Sequence, residues 1–479
     1  MLSFRRGEGQ SRALPFPLAP WLALALLFMT GPRAPGQDYA SQPLLDKTNF
    51  VYLGAFALPT GLVGDSYFNY GGHALCPYFD EATGKYTIFM EGHAWYPGEV
   101  AQVEIPDRIV NSQDWNDLPL ATVLQPFSNA TDGKLDTLGD SGAFIYGMLA
   151  YHGRLITAAS VYYDADNSQV NSHGAASFDL ALTNAFHGFY PFNAVASPRS
   201  LGRYMTLIPA EWQAAFGGPA LSGQCCICII ENSSSGPAAT VFDPDDVGTK
   251  DPIPGTTVLY YPVNQPLAPG DTQNSLYNYA TQMGGMAFPP GSRSVLFIGR
   301  QGLGPYCYGI GSDCGDPADD SKGTHAYPYQ HQVWAYDAND LVAVKNGRKL
   351  PWEVRPYATW SLDDMDTSGG AAIRSAGYDP LTGRLYIAQA FGDDPRIDVY
   401  QLAVPSPTTL RILIQSDRHL QLQVSAGPNL LCELDASPDL VHWTTVFSGQ
   451  SDATGHLAYA PTNLPIQSSQ FYRARLTAP

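Results

Sequence analysis

Basic residues are scarce in this chain and nowhere clustered, which removes one class of partner. Only 26 Lys and Arg stand against 44 Asp and Glu, a formal net charge of −18 at pH 7. Nucleic acid is not expected as a partner, because neutralising phosphates takes grouped Lys and Arg. Any polyanionic ligand would have to meet a local basic patch that opposes the field of the whole protein. Long apolar runs are missing as well. The apolar core WLALALLFM near the N-terminus is shorter than the roughly 20 residues that span a bilayer, and no later segment approaches that length, so no membrane insertion is expected. Sustained helical periodicity is also absent. With 46 Gly, 39 Pro and 28 Tyr and only 15% charged residues, the composition favours short strands and many turns over helices.

What is present begins with an export signal. Arg5, Arg6 and Arg12 precede the apolar stretch Leu18 to Met29, and the small-residue segment Gly31 to Gly36 follows. This order predicts a secretory signal peptide over 1–36 and a secreted or periplasmic protein. No Cys follows the apolar stretch closely, which argues against a lipid anchor. Export permits disulfides, but seven cysteines (Cys76, Cys225, Cys226, Cys228, Cys307, Cys314 and Cys432) leave at least one thiol unpaired.

Four segments of the body share one pattern of turn, strand, polar loop and strand. They are ATGKYTIFMEGHAW with EVAQVEI, HGRLITAASVYYD with GAASFDL, GSRSVLFIGRQG with HQVWAYD, and TGRLYIAQAF with RIDVYQL. Repetition of this kind predicts an all-β fold, a β-propeller of about seven blades over 45–403. A linker follows at 404–408, where AVPSPTT breaks the apolar alternation. The short strands RILIQ, QLQVSA, LLCELDAS, TTVFSG, HLAYAP and QFYRARL then predict a small β-sandwich over 409–479. That segment resembles a β module found at the C-terminus of many secreted bacterial proteins, which implies cell-surface or matrix attachment; a solubilising cap is the alternative.

In such a fold, strand ends alternate between two faces. His73 in YGGHAL and His93 in MEGHAW, twenty residues apart, should be neighbours on one face, joined there by Tyr162, Tyr163, His173, Arg300, Tyr306 and Tyr308. Arg154, in the turn HGRL, falls on the other. A grouping of His, Tyr and Arg without an obvious carboxylate pair suits β-elimination from a uronate. Arg neutralises the carboxylate, while His and Tyr serve as base and acid. Glycoside hydrolysis would ask for two opposed carboxylates, and none of Glu91, Asp140, Asp164 and Asp179 is singled out by its setting. A histidine at a strand end also has a plainer role as a structural hydrogen-bond partner.

The loop GRQGLGPYCYGIGSDCGDPADDSKGTHAYPYQH is the densest chemical segment. Cys307, Cys314 and His325, with Cys225 of the CCIC run or His331 as a fourth ligand, would hold a structural Zn²⁺; a Cys307–Cys314 disulfide is the equal alternative. The acidic run Asp313, Asp316, Asp319, Asp320 does not match an EF-hand loop.

The paired GGHAL and EGHAW histidines, with a Cys and His loop later in the chain, resemble the seven-bladed propeller polysaccharide lyases that cleave ulvan. The resemblance covers roughly 45–403. It implies a lyase acting on an acidic polysaccharide, a structural zinc, and catalytic roles for His73 and His93 with a Tyr and an Arg. Tyr163, His173 and Arg203 are the candidates for the partners of the histidine pair. A non-catalytic scaffold that binds glycans or proteins through an aromatic-rich face is the competing expectation.

Overall fold

The computed structural model describes residues 39–476, apart from 140–141, 165, 167, 197–199, 227–232, 366–371, 390–391, 406–408, 415–419, 426–430, 453–455 and 461–470. The expected signal peptide, Asp140, Cys228 and part of the expected linker lie outside the described residues. No helix among the described residues is long and apolar enough to cross a membrane.

Among the described residues regular structure is mostly strand, with short α-helices at Ala210–Phe216, Gly311–Cys314 and Ala338–Lys345. After β1 (Phe50–Ala57) comes a meander of β2 (Leu75–Asp80), β3 (Lys85–Glu91), β4 (Glu99–Glu104) and β5 (Thr122–Asn129). A second contains β6 (Ala143–Tyr151), β7 (Arg154–Val161), β8 (Asn171–Ser177) and β9 (His187–Asn193). The third holds β10 (Tyr204–Leu207), β11 (Ala220–Gly223), β12 (Ala239–Phe242) and β14 (Thr256–Leu259), while the short β13 (Ile253–Pro254) pairs with β9. Next come β15 (Gln282–Ala287), β16 (Ser294–Gly302), the small hairpin β17 (Cys307–Ile310) and β18 (Lys322–His325), β19 (Tyr329–Asp337) and β20 (Ala358–Ser361). Strands β21 (Ile373–Asp379), β22 (Arg384–Gln389) and β23 (Arg396–Leu402) complete the body.

The seven-bladed propeller is not what these strands form. Eight of them make one open half-barrel sheet in the order β1-β23-β22-β21-β15-β16-β19-β20, and the remaining sheets of the body are small, with two to five strands. The resemblance to propeller lyases falls with that architecture. Two physical causes account for the miscount. Long excursions, such as the one that carries β17 and β18, stretch the repeating unit well beyond the spacing assumed from the sequence. The half-barrel is also joined by a single parallel bridge, Gly285 to Ala376, between strands from different repeats, and no local pattern announces a pairing of that kind.

The repeated turns are nonetheless visible in the sequence. In FDEATGK, Asp80 accepts hydrogen bonds from the Ala82 amide (3.0 Å) and the Thr83 hydroxyl (2.8 Å). In YDPLTGR, Asp379 does the same for Leu381 (2.9 Å) and Thr382 (2.6 Å). Both turns satisfy backbone donors that the hairpin exposes. The strands between turns are apolar on both faces where they are covered twice: all nine residues of β16 are buried. Burial on both faces explains why such strands read as continuous apolar runs.

The first strands of successive meanders pack side by side, β2 against β6 and β21, β10 against β6 and β15. An apolar cavity of about 280 Å³ lies among them, lined in part by Leu75, Met148, Met205, Ile208, Phe288 and Tyr378. Their starts carry the polar cluster described below. At the C-terminus, β24 (Thr409–Ile414), β25 (Leu420–Ser425) and β28 (His456–Tyr459) form one three-stranded sheet. A second consists of β27 (Thr444–Gln450), β26 (Leu431–Ser437) and β29 (Phe471–Leu476). The two share an apolar core around Leu422, Val424, Cys432 and Leu434.

Close backbone approach at the β15–β21 junction leads to a first prediction. A Cβ at Gly284 would stand 2.5 Å from the Ile373 carbonyl oxygen and 2.8 Å from the Arg374 carbonyl carbon. Gly284→Ala should therefore cost about 1–3 kcal/mol, the usual range for overpacking, measured as a lowered midpoint in urea unfolding.

Candidate functional site

Two histidine-bearing loops meet because neither has a side chain where they touch. A Cβ on Gly71 would lie 2.6 Å from the Gly92 carbonyl oxygen. The segments GGH and EGH therefore pack backbone against backbone, with His73 at the start of β2 and His93 just after β3. The Ser375 hydroxyl donates to the Gly72 carbonyl (2.7 Å) and ties the first loop to β21.

Two further side chains reach the same place through β-bulges. In β6 the register shifts between Ile145 and Gly147, leaving Tyr146 as the extra residue. In β21 it shifts between Ile373 and Ser375, leaving Arg374 as the extra residue. A bulge re-aims one side chain without ending the strand. Arg203, immediately before β10, completes the group.

His73 sits at the centre. The Arg374 guanidinium donates to its Nε2. A guanidinium can only donate, so Nε2 carries the lone pair and the ring proton is on Nδ1. Nδ1 faces Glu91 Oε2 at 3.7 Å. The ring packs against Phe144 and edge-on to Tyr146, with centroids 5.2 and 5.6 Å away. Burial, then the charges of Arg374 and Arg203, push the His73 pKa well below the usual histidine range. His73 is therefore a neutral imidazole at neutral pH.

Glu91 is buried, and its Oε1 accepts from the amides of Gly98 (3.4 Å) and Ile145 (3.2 Å). Burial raises its pKa to about 8, against the smaller opposing effects of those amides and of Arg374. Its negative charge is thus largely suppressed at neutral pH.

The cations are not matched. The Arg203 guanidinium lies over the Tyr146 ring, 4.5 Å from its centroid. Arg203 is 7% exposed, and its Nε and Nη1 are buried without a hydrogen-bond partner. Burial and the like charge of Arg203 pull the Arg374 pKa down, with Tyr146 and Glu91 opposing. Two guanidinium groups therefore stand beside one mostly protonated carboxyl, and a buried charge without a full counter-charge is costly.

His93 stands nearer to solvent. Its Nδ1 accepts from the Trp95 amide (3.0 Å), which leaves the ring proton on Nε2. Burial and Arg374 lower its pKa. Around it stand the rings of Trp95, Tyr70, Tyr96 and Tyr67, with centroids between 5.1 and 6.1 Å away.

Of the candidates drawn from the sequence, the structure thus brings together His73, His93 and Arg203. Tyr163 is exposed, just beyond the end of β7. His173 is fully buried between Ser172 Oγ and Ser222 Oγ, each 2.8 Å from a ring nitrogen, and packs edge-on to Phe192 and Phe242. Burial lowers its pKa to about 3, so it is a neutral structural hydrogen-bond partner. Arg154 lies in its turn, donating to the carbonyls of Val247 and Pro244.

The zinc expectation is corrected. Among the described residues no group of three or more His, Cys, Asp or Glu is placed to hold a metal. Cys307 is bonded to Cys314, and Cys225 to Cys226. Both nitrogens of His325 are engaged, Nδ1 with Asp316 Oδ2 at 2.8 Å and Nε2 with the Ser321 carbonyl at 3.0 Å. What pins the loop is the disulfide and this buried hydrogen-bonded pair, to which Tyr329 adds a bond to Asp316 of 2.6 Å. Burial works against the charged forms of both partners, but the hydrogen bonds outweigh it, lowering the Asp316 pKa and raising that of His325.

No family model and no curated protein matches this chain. The site therefore has to be read from its own chemistry. Tyr146, Arg374 and the role of Glu91 beside His73 were not found from sequence. The signal for the first two was slight: each is followed by a small residue, Gly147 or Ser375, in the first strand of its repeat.

Two predictions follow from these environments. Non-reducing peptide mapping of the intact protein should recover Cys307 joined to Cys314, and elemental analysis should find no stoichiometric zinc. The second concerns Glu91. Its folded pKa exceeds its unfolded value, so between about pH 4.5 and 8 the unfolded chain releases a proton that the folded protein keeps. Stability should fall with rising pH across that window, by about 1.4 kcal/mol per unit for one proton. Glu91→Gln should flatten that slope in pH-dependent thermal unfolding.

Proposed function

We propose that the chain binds the carboxylate of an acidic, uronate-containing polysaccharide in the Arg203–Arg374 pocket and cleaves it by β-elimination, acting outside the cell. The observation that carries this reading is the buried Arg203 guanidinium, whose Nε and Nη1 have no hydrogen-bond partner, in one cluster with Arg374, a neutral histidine and a tyrosine. The proton beside a uronate carboxylate is weakly acidic, and pairing that carboxylate with guanidinium groups lowers the cost of the developing carbanion.

In this reading Arg374 turns from His73 Nε2 to the substrate carboxylate, and the freed Nε2 lone pair takes the C5 proton. The resulting imidazolium is stabilised by Glu91 on its Nδ1 side, since a neighbouring cation favours the ionised carboxylate. Electrons from the broken C5–H bond form the C4–C5 double bond as the C4–O4 bond breaks. Tyr146 supplies a proton to the departing O4, and water restores it. His93, with its proton on Nε2, donates a hydrogen bond at the open side of the pocket.

Saturable glycan binding without turnover is the second reading, favoured by the exposed aromatic residues around His93. Incubation with a panel of uronate polymers separates the two, because elimination yields an unsaturated product that absorbs in the ultraviolet. On a polymer that reacts, His73→Ala and Tyr146→Phe should each lower kcat by about 10²–10⁴-fold, the usual contribution of a general acid or base. Tyr163→Phe should leave the rate unchanged. Binding of those polymers with no absorbance from any of them would replace the lyase by the binding protein.

A further inference from the structure

The rim beside the cationic pocket is aromatic and open. Trp95 is 83% exposed, and Tyr70 and Tyr96 are close to half exposed. These rings are not scattered. Trp95, Tyr70 and Tyr96 each lie within 6 Å of the His93 ring, and Tyr67 packs against Tyr96 at 6.1 Å.

The segment that carries them is held in place. The Ala94 amide donates to the Tyr70 carbonyl (3.4 Å), and the Tyr96 amide to that of His93 (2.8 Å). At the segment's end the Gly98 amide donates to Glu91, so the same carboxyl that faces His73 also anchors the rim. Tyr70 adopts φ of 56°, a left-handed conformation that is uncommon for a non-glycine residue and disfavoured for a bulky one. Its hydroxyl donates to Asp393 Oδ1 (3.2 Å). The fold thus holds an unfavourable backbone to keep this ring at the edge of the pocket, a pattern associated with ligand clamps.

We propose that Trp95, Tyr96 and Tyr70 form a stacking subsite for the sugar unit next to the one whose carboxylate enters the Arg203–Arg374 pocket. This inference rests on the uronate reading given above. A pyranose ring presents apolar C–H faces and a polar edge, and flat rings with a polar tip match both. An aromatic wall continuous with a carboxylate pocket recognises a chain of linked acidic sugars in preference to a single one. The site would thereby select polymer over monosaccharide, and internal positions along the chain would bind as readily as its ends.

Equilibrium binding by the full chain tests this with two probes, free glucuronate and a linear β-(1→4)-linked glucuronate tetrasaccharide, using His73→Ala as the background to prevent turnover. The tetrasaccharide should bind tighter than glucuronate. Adding Trp95→Ala should weaken the tetrasaccharide about tenfold, leave glucuronate unchanged, and be rescued in part by Trp95→Phe. Arg203→Ala should weaken both ligands. If the tetrasaccharide binds, is lost with Arg203→Ala, and is untouched by Trp95→Ala, the stacking subsite falls while the uronate pocket stands. If neither probe binds the background protein, the pocket reading falls and the subsite with it.

Discussion

Confining two guanidinium groups together inside an acidic protein is the constraint around which this molecule is arranged. Arg203 and Arg374 repel one another, and each has given up much of its hydration. The surroundings offset this in part. The Tyr146 ring presents its face to Arg203, His73 accepts from Arg374, and Glu91 lies behind His73. None of these supplies a full negative charge at neutral pH, because burial keeps the Glu91 proton on. In the proposed reading a substrate carboxylate completes the balance, which would let a strongly acidic chain attract an anion at one point.

The scaffold serves that arrangement by packing the first strands of successive meanders side by side. Tyr146 and Arg374 are delivered by bulges within β6 and β21, while His73 and Arg203 lie just before β2 and β10. Strands fix such groups more tightly than free loops would. Further along each of these strands lies the apolar cavity. Polarity is thus segregated along one bundle of strands, with chemistry at the starts and packing at the ends.

The cysteine loop shows how identical residues support different structures. Cys307, Cys314 and His325 have the types and proximity of a metal site, and spacing alone left zinc and disulfide equally open. The structure resolves the choice through second partners. His325 is already satisfied on both nitrogens by Asp316 and Ser321, and the two sulfurs bond to each other. Disulfide sulfurs are no longer the thiolates that zinc takes, and an imidazole engaged at both nitrogens offers an ion nothing.

Much of the β architecture was legible in the order of residues. The D-x-x-T-G turns hold their own backbone by side-chain hydrogen bonds, and apolar runs such as those of β16 and β22 form strands, so these features depend on near neighbours. The pairing of His73 with His93 was legible for the same reason, since both flank one hairpin of adjacent strands. The number and closure of the sheets were not. They hinge on contacts such as Gly285 with Ala376, ninety residues away, and on insertions whose length the repeat does not constrain. Tyr146 and Arg374 escaped notice because a bulge breaks the alternation that says which way a side chain points. The case for Tyr163 rests on the segment YYDADNSQVNSH sharing the expected face, and the residue stands exposed beyond the end of β7. Composition, export pattern and turn chemistry are properties of local sequence and were determined by it. The cationic cluster is a property of four segments distant in sequence and two register shifts, and only the tertiary packing that brings them together decided it.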